Sequence, residues 1–77
     1  MDTRVFLVAT ISGSEYLVLT RDQGQRLAVP LLAQLKGGNR REEEGLAIAL
    51  PRVGENLVVY FGDRRLRTSI VKGVREL

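Results

Sequence analysis

The stretch that decides the fold is Asn56–Lys72, which reads NLVVYFGDRRLRTSIVK. Two runs rich in apolar and β-branched residues flank Gly62-Asp63, a dipeptide that suits a tight turn between antiparallel strands. The sequence therefore predicts a β-hairpin here, with a loop of either two residues (62–63) or four (62–65).

Side chains alternate across a strand, so an even-numbered loop divides this hairpin into two faces. The face expected to pack in the core carries Leu57, Val59 and Phe61 opposite Leu66, Thr68 and Ile70. The outer face carries Val58 and Tyr60 opposite Arg67 and Arg65, with Ser69 further along.

The positive charge of the chain is concentrated in the same segment. Residues 1–61 hold seven basic and seven acidic side chains, whereas residues 62–77 hold five basic and two acidic ones, which together give the net charge of +3. Ten of the 12 basic residues are arginine. Two explanations fit this bias: oxyanion recognition by planar guanidinium groups, or a source whose proteins favour arginine throughout.

The candidate ligand-binding residues are Tyr60, Arg64, Arg65, Arg67, Ser69 and Lys72. Arginines contact phosphates and a tyrosine ring stacks on a base, so this set predicts nucleic acid or a nucleotide as partner. The structural alternative is a solvated sheet face on which the arginines make cation–π and cross-strand contacts with Tyr60.

The rest of the chain is mainly β in pattern. The predicted strands are Arg4–Ile11, Glu15–Arg21, Gln25–Val29 and Leu46–Leu50. Turns at 12–14 and 22–24 separate the first three strands, and Pro51 follows the fourth. Pro30, three leucines at 31, 32 and 35, and Gly37-Gly38 predict a short helix over 30–36, with a strand bent at Pro30 as the alternative.

Asn39–Gly45 (NRREEEG) is the most polar segment, and it predicts a solvated loop. A functional acidic cluster and a short helix capped by Asn39 are the alternatives.

The whole chain is predicted to form one mainly β domain over residues 1–77. It should contain about five to six short antiparallel strands and one helical turn, arranged as a small SH3-like barrel or a twisted sheet.

Histidine and cysteine are both absent from the chain. The usual general base, the thiol nucleophile and the His/Cys zinc sites are therefore excluded, and we expect no catalytic residues, no metal site and no cofactor. No apolar run approaches the roughly 18 residues of a membrane span. We expect a cytoplasmic binding protein without enzymatic activity.

Four short motifs follow one another along the chain: residues 12–16 (SGSEY), 41–45 (REEEG), 53–59 (VGENLVV) and 67–71 (RTSIV). This order resembles small uncharacterised β proteins of bacteria and their phages, which share a Ser-Gly-Ser-x-Tyr opening and a terminal Thr-Ser-Pro-Val. The chain differs in having Ile70 where proline is usual and in lacking tryptophan. The resemblance implies a phage or mobile-element setting and no particular site residue.

A second function is predicted by strands that are apolar on both faces, Arg4–Ile11 and Leu46–Leu50. A chain of 77 residues is too small to cover both faces of such strands. The alternative to a phosphate-binding module is therefore a protein-interaction module, which forms a homo-oligomer or binds a host protein.

Overall fold

The computed structural model describes residues 2–38 and 40–77, and every regular element within them is a β-strand. The strands are β1 (Thr3–Thr10), β2 (Glu15–Gln23), β3 (Arg26–Lys36), β4 (Arg40–Ala47), β5 (Asn56–Phe61) and β6 (Arg64–Glu76). Each strand pairs antiparallel with the next one, and β6 returns to pair with β1. The sheet therefore closes into a six-stranded barrel, which confirms the predicted small antiparallel barrel.

The barrel interior is filled by alternate residues of the strands, as the period of two requires. The buried apolar side chains are Phe6, Val8, Tyr16, Val18, Val29, Leu32, Leu57, Val59, Phe61 and Val71. Pairing of β6 with β1 closes the sheet, so the first and last strands are both hydrogen-bonded to neighbours in a chain that has no disulfide.

The C-terminal hairpin is confirmed with a two-residue loop, because Phe61 pairs with Arg64. Gly62 has a φ of +65° at the first loop position, which is the requirement of a type II′ turn and is met by glycine without strain. The predicted hairpin between the first two strands is also confirmed, with Ala9 opposite Glu15.

The assignment of Ile70 to the core is wrong. Val58 pairs with Arg67, but Asn56 pairs with Ile70, so β6 contains a β-bulge that inserts one extra residue. The extra residue reverses the alternation. Thr68 and Val71 are buried, whereas Ile70 is 40% exposed on the outside of the barrel.

The predicted helix over 30–36 is also wrong, and the alternative of a strand bent at Pro30 describes the structure. β3 runs without interruption from Arg26 to Lys36, and its register with β2 shifts where Leu19 pairs with Leu31 and Arg21 pairs with Ala28. Proline has no N–H to give to a ladder, so it is accommodated at this irregularity.

The polar segment before Gly45 is a strand rather than a solvated loop. Arg40 to Gly45 belong to β4, which pairs with β3 along its length; Asn39 lies outside the described residues. The strand predicted over Leu46–Leu50 continues only to Ala47, and a bend follows at Ile48-Ala49. Pairing to an apolar neighbour strand outweighed the polarity of this sequence, since strand propensity depends strongly on context.

Candidate ligand-binding face

The outer face of the C-terminal hairpin has the composition expected from alternation. Tyr60 pairs with Arg65 and Val58 pairs with Arg67, so the four side chains lie side by side on the outside of the barrel. Tyr60 is 38% exposed, and both arginines are exposed. The structure therefore brings together Tyr60, Arg65 and Arg67 of the predicted site.

This face continues across three more strands. Leu46 pairs with Tyr60, Ala28 pairs with Leu46, and Arg21 pairs with Ala28. We call this line of outward-facing side chains the Tyr60 row; it consists of Arg21, Ala28, Leu46, Tyr60 and Arg65. A guanidinium group lies at each end of the row, with an apolar and aromatic surface between them.

Sequence reasoning missed Arg21 and Leu46 as members of this site. The two residues lie on β2 and β4, and only the register of the closed barrel places them in line with Tyr60. Leu46 is recognisable only in the structure, as an apolar residue that lies at an outward position and is 43% exposed.

Arg65 and Arg67 form no ion pair with any carboxylate in the part of the chain that the structure describes. Arg21 has a hydroxyl partner, because its Nε donates to Thr3 Oγ1 at 3.5 Å. Arginine makes its strongest hydrogen bonds with carboxylates and phosphates. All donors of Arg65 and Arg67, and the remaining donors of Arg21, are therefore available to an anionic ligand.

Arg64 lies apart from the row and has a structural partner. Its Nη2 donates to Glu42 Oε2 at 2.6 Å, and Arg40 Nε donates to Glu42 Oε1 at 3.1 Å. The Glu42 side chain is 13% exposed. Hydrogen bonds from Arg64 and then from Arg40 lower the pKa of Glu42 below its usual range. Arg64 thus joins the start of β6 to β4.

Ser69 and Lys72 also lie away from the Tyr60 row. Ser69 Oγ donates to Ser12 Oγ at 2.8 Å, which joins β6 to the turn between β1 and β2. Lys72 is exposed at a second irregularity of β6, where Thr10 pairs with Val71 and Ala9 pairs with Gly73. The structure therefore divides the six predicted residues into one group of three and three separate positions.

Within residues 2–38 and 40–77 no helix of the length and hydropathy of a membrane span is present. In the same residues there is no cluster of three or more His, Cys, Asp or Glu side chains placed to hold a metal ion. The chemistry that the Tyr60 row offers is recognition: hydrogen bonding and charge from guanidinium groups, and stacking on an aromatic ring.

The chain was compared with protein-family models, with curated proteins and with solved structures, and none of the three comparisons returned a match.

Proposed function

We propose that this protein is a non-enzymatic binding module that holds a phosphate-bearing ligand, nucleic acid in the first place, on the outer face of β5 and β6. The single observation that carries the proposal is the pairing of exposed Tyr60 with Arg65, next to Arg67, with no carboxylate among the described residues neutralising either arginine.

The spacing of these groups suits a nucleotide chain. Arg65 and Arg67 are two residues apart on one strand, so their Cα atoms lie about 6.6 Å from each other on the same face. An aromatic ring beside them provides a stacking surface, and every base has a π-face, so such a site tolerates many sequences. Arg21 at the far end of the Tyr60 row extends the positive charge across the barrel.

The surroundings of the Tyr60 row favour a strand of nucleic acid over a free nucleotide. The concavity at one end of the row is lined by Arg21, Ala28 and Leu46, but the carboxylates of Glu43 and Glu44 also line it and disfavour an enclosed nucleotide phosphate. A polymer gains affinity from several phosphates and several stacked bases together, and therefore does not need an enclosing pocket.

The test is a titration of fluorescently labelled single-stranded and duplex oligonucleotides, followed by anisotropy at several salt concentrations. Phosphate contacts predict an affinity that falls as salt rises, with a slope of about 0.7 per phosphate for single strands. Arg65→Ala/Arg67→Ala is expected to weaken binding and to lower the slope by about 1.4, since two phosphate contacts are lost. Calorimetry with a panel of nucleotides tests the free nucleotide as ligand.

The matched control is Lys36→Ala/Arg75→Ala, which removes two positive charges from residues that pair with neither Tyr60 nor Val58. This control is expected to retain most of the affinity. Tyr60→Ala separates stacking from charge: it should cost about 1–3 kcal/mol of binding free energy while leaving the salt slope unchanged. An absence of binding at low salt to every oligonucleotide and nucleotide, or equal losses in the two double variants, contradicts the proposal.

A further inference from the structure

The outer surface of β1, β2 and β3 is apolar, in contrast to the charged outer surface of the C-terminal hairpin. In these three strands the residues that alternate with the core point outward, and most of them are aliphatic. We call this surface the aliphatic face; it consists of Val5, Leu7, Leu17, Leu19, Leu31 and Ala33. All six are half-buried by their neighbours on the sheet.

The register joins these side chains into two parallel rows. Val5 pairs with Leu19, which pairs with Leu31; Leu7 pairs with Leu17, which pairs with Ala33. An antiparallel sheet with one solvated side normally has polar residues at such positions. A contiguous aliphatic surface on the solvent side marks an interaction site.

The charged residues at the border of the aliphatic face indicate which partner fits it. On β4, Glu43 pairs with Leu31 and Arg41 pairs with Ala33, so one row ends on a negative charge and the other on a positive charge. Arg41 and Glu43 are 3.1 Å apart at their closest atoms, and their side chains are 69% and 59% exposed. Because these two charges are opposite and lie two residues apart on one strand, the border is complementary to the same border of a second copy of the chain.

We propose that the aliphatic face is the interface of a homodimer, with a two-fold axis that lies in the face and runs across the strands. This axis places one row of a protomer over the other row of its partner. Arg41 then faces the partner's Glu43, and the reciprocal pair forms by symmetry. The dimer is independent of the ligand-binding function, because the Tyr60 row is a separate set of residues.

The size of the face determines the strength of the dimer. Neighbouring strands are about 4.8 Å apart and alternate residues about 6.8 Å apart, so the two rows with their border on β4 measure roughly 19 by 14 Å. Two such faces bury on the order of 500 Å², which is below the roughly 1,200 Å² at which the standard range for specific interfaces begins. The expected dimer is therefore weak, with a dissociation constant in the micromolar range or above.

The experiment is sedimentation velocity of the full chain at low salt, from about 1 μM to about 1 mM. The weight-average sedimentation coefficient of the wild type should rise from the monomer value toward the dimer value. Leu19→Glu should remain monomeric over this range. Ile48→Glu is the matched control, because Ile48 is 79% exposed outside the aliphatic face, and it should associate as the wild type does.

Charge reversal tests the same interface without changing its aliphatic centre. Arg41→Glu and Glu43→Arg should each weaken self-association, since both variants place like charges opposite one another. An equimolar mixture of the two should form a heterodimer, because the two borders are then complementary. A wild type that stays monomeric at the highest concentration overturns the proposal. So does a mixture that associates no better than its components, or loss of association in Ile48→Glu with retention in Leu19→Glu.

Discussion

The Phe61 ring occupies the space in front of Gly45: a β-carbon on Gly45 would lie 2.6 Å from Phe61 Cε1 and 2.7 Å from Val59 Cγ1. β4 and β5 pair only through Leu46–Tyr60 and Ala47–Val59, and Gly45 lies at the next position along this seam. The missing side chain at Gly45 thus lets a phenylalanine fill the barrel where backbone pairing between β4 and β5 ends.

Gly45→Ala is expected to lower the free energy of unfolding by about 1–3 kcal/mol, because a methyl group forced into a filled core displaces its neighbours. The measurement is chemical denaturation followed by circular dichroism. Gly73→Ala is the matched control: a β-carbon at Gly73 meets nothing within 4 Å, so its effect should stay within about 0.5 kcal/mol. Equal effects of the two substitutions would show that steric exclusion at the seam is not the cause.

Thr68→Val is expected to cost about 1–3 kcal/mol of unfolding free energy. Thr68 is buried at the bulge of β6, and its hydroxyl accepts the Leu57 N–H at 3.0 Å and donates to Ser69 O at 2.7 Å. Valine has the same shape but leaves the Leu57 N–H without its acceptor in a buried position.

Thr20→Val is the control for this prediction. Thr20 is equally buried, and its hydroxyl only donates, to Arg4 O at 3.3 Å. A carbonyl oxygen that loses one long hydrogen bond is less costly than an unpaired N–H, so the loss of stability should be smaller. Denaturation of the two variants under identical conditions measures the difference, and a larger loss in Thr20→Val would contradict this role of Thr68.

Acid should destabilise the barrel through Glu42. Arg64 and then Arg40 lower the pKa of Glu42 in the folded protein below the ordinary value of 4.5. A carboxyl whose pKa is lower in the folded than in the unfolded state stabilises the fold above its unfolded pKa. This stabilisation is lost as pH falls through the folded pKa, so the free energy of unfolding should decrease below about pH 4.5.

Denaturation curves between about pH 2 and pH 7 measure this dependence. Glu42→Gln should flatten the acid limb, although Glu76 keeps part of it, since Arg4 lowers the pKa of Glu76 in the same way. An acid limb that is as steep in Glu42→Gln as in the wild type would show that Glu42 does not contribute.

Arg64→Ala should affect stability more than oligonucleotide binding. The Arg64 guanidinium donates to Glu42 across the barrel seam, whereas that of Arg65 lies in the Tyr60 row. We expect Arg64→Ala to unfold at lower denaturant concentration at pH 7 and to keep the salt slope of binding. Arg65→Ala should unfold at the same denaturant concentration as the wild type and should lower the salt slope of binding. Parallel anisotropy and denaturation measurements decide this, and a lowered salt slope in Arg64→Ala would place Arg64 in the ligand site.

The two hairpins and the two faces of β5 were predictable from local signals. Gly62 supplies the positive φ of the loop, and alternation assigns Phe61 to the core and Tyr60 to the outside. Alternation failed at Ile70, because a bulge adds a residue and no residue type in the sequence reports it. It also gave no account of β4, where Glu42 is held on the inner side by two arginines.

The sequence by itself determined that this chain forms an antiparallel β-fold. Alternating apolar residues and glycine-containing turns specify strands and hairpins through residues that are close together in the chain. The sequence also determined that the outer face of the last hairpin is basic. Only the tertiary structure decided what lies beside that hairpin: the registers of β2 with β3, of β3 with β4 and of β4 with β5 place Leu46 and Arg21 in line with Tyr60. Closure and register depend on residues far apart in the chain, and local patterns contain no information about such pairings.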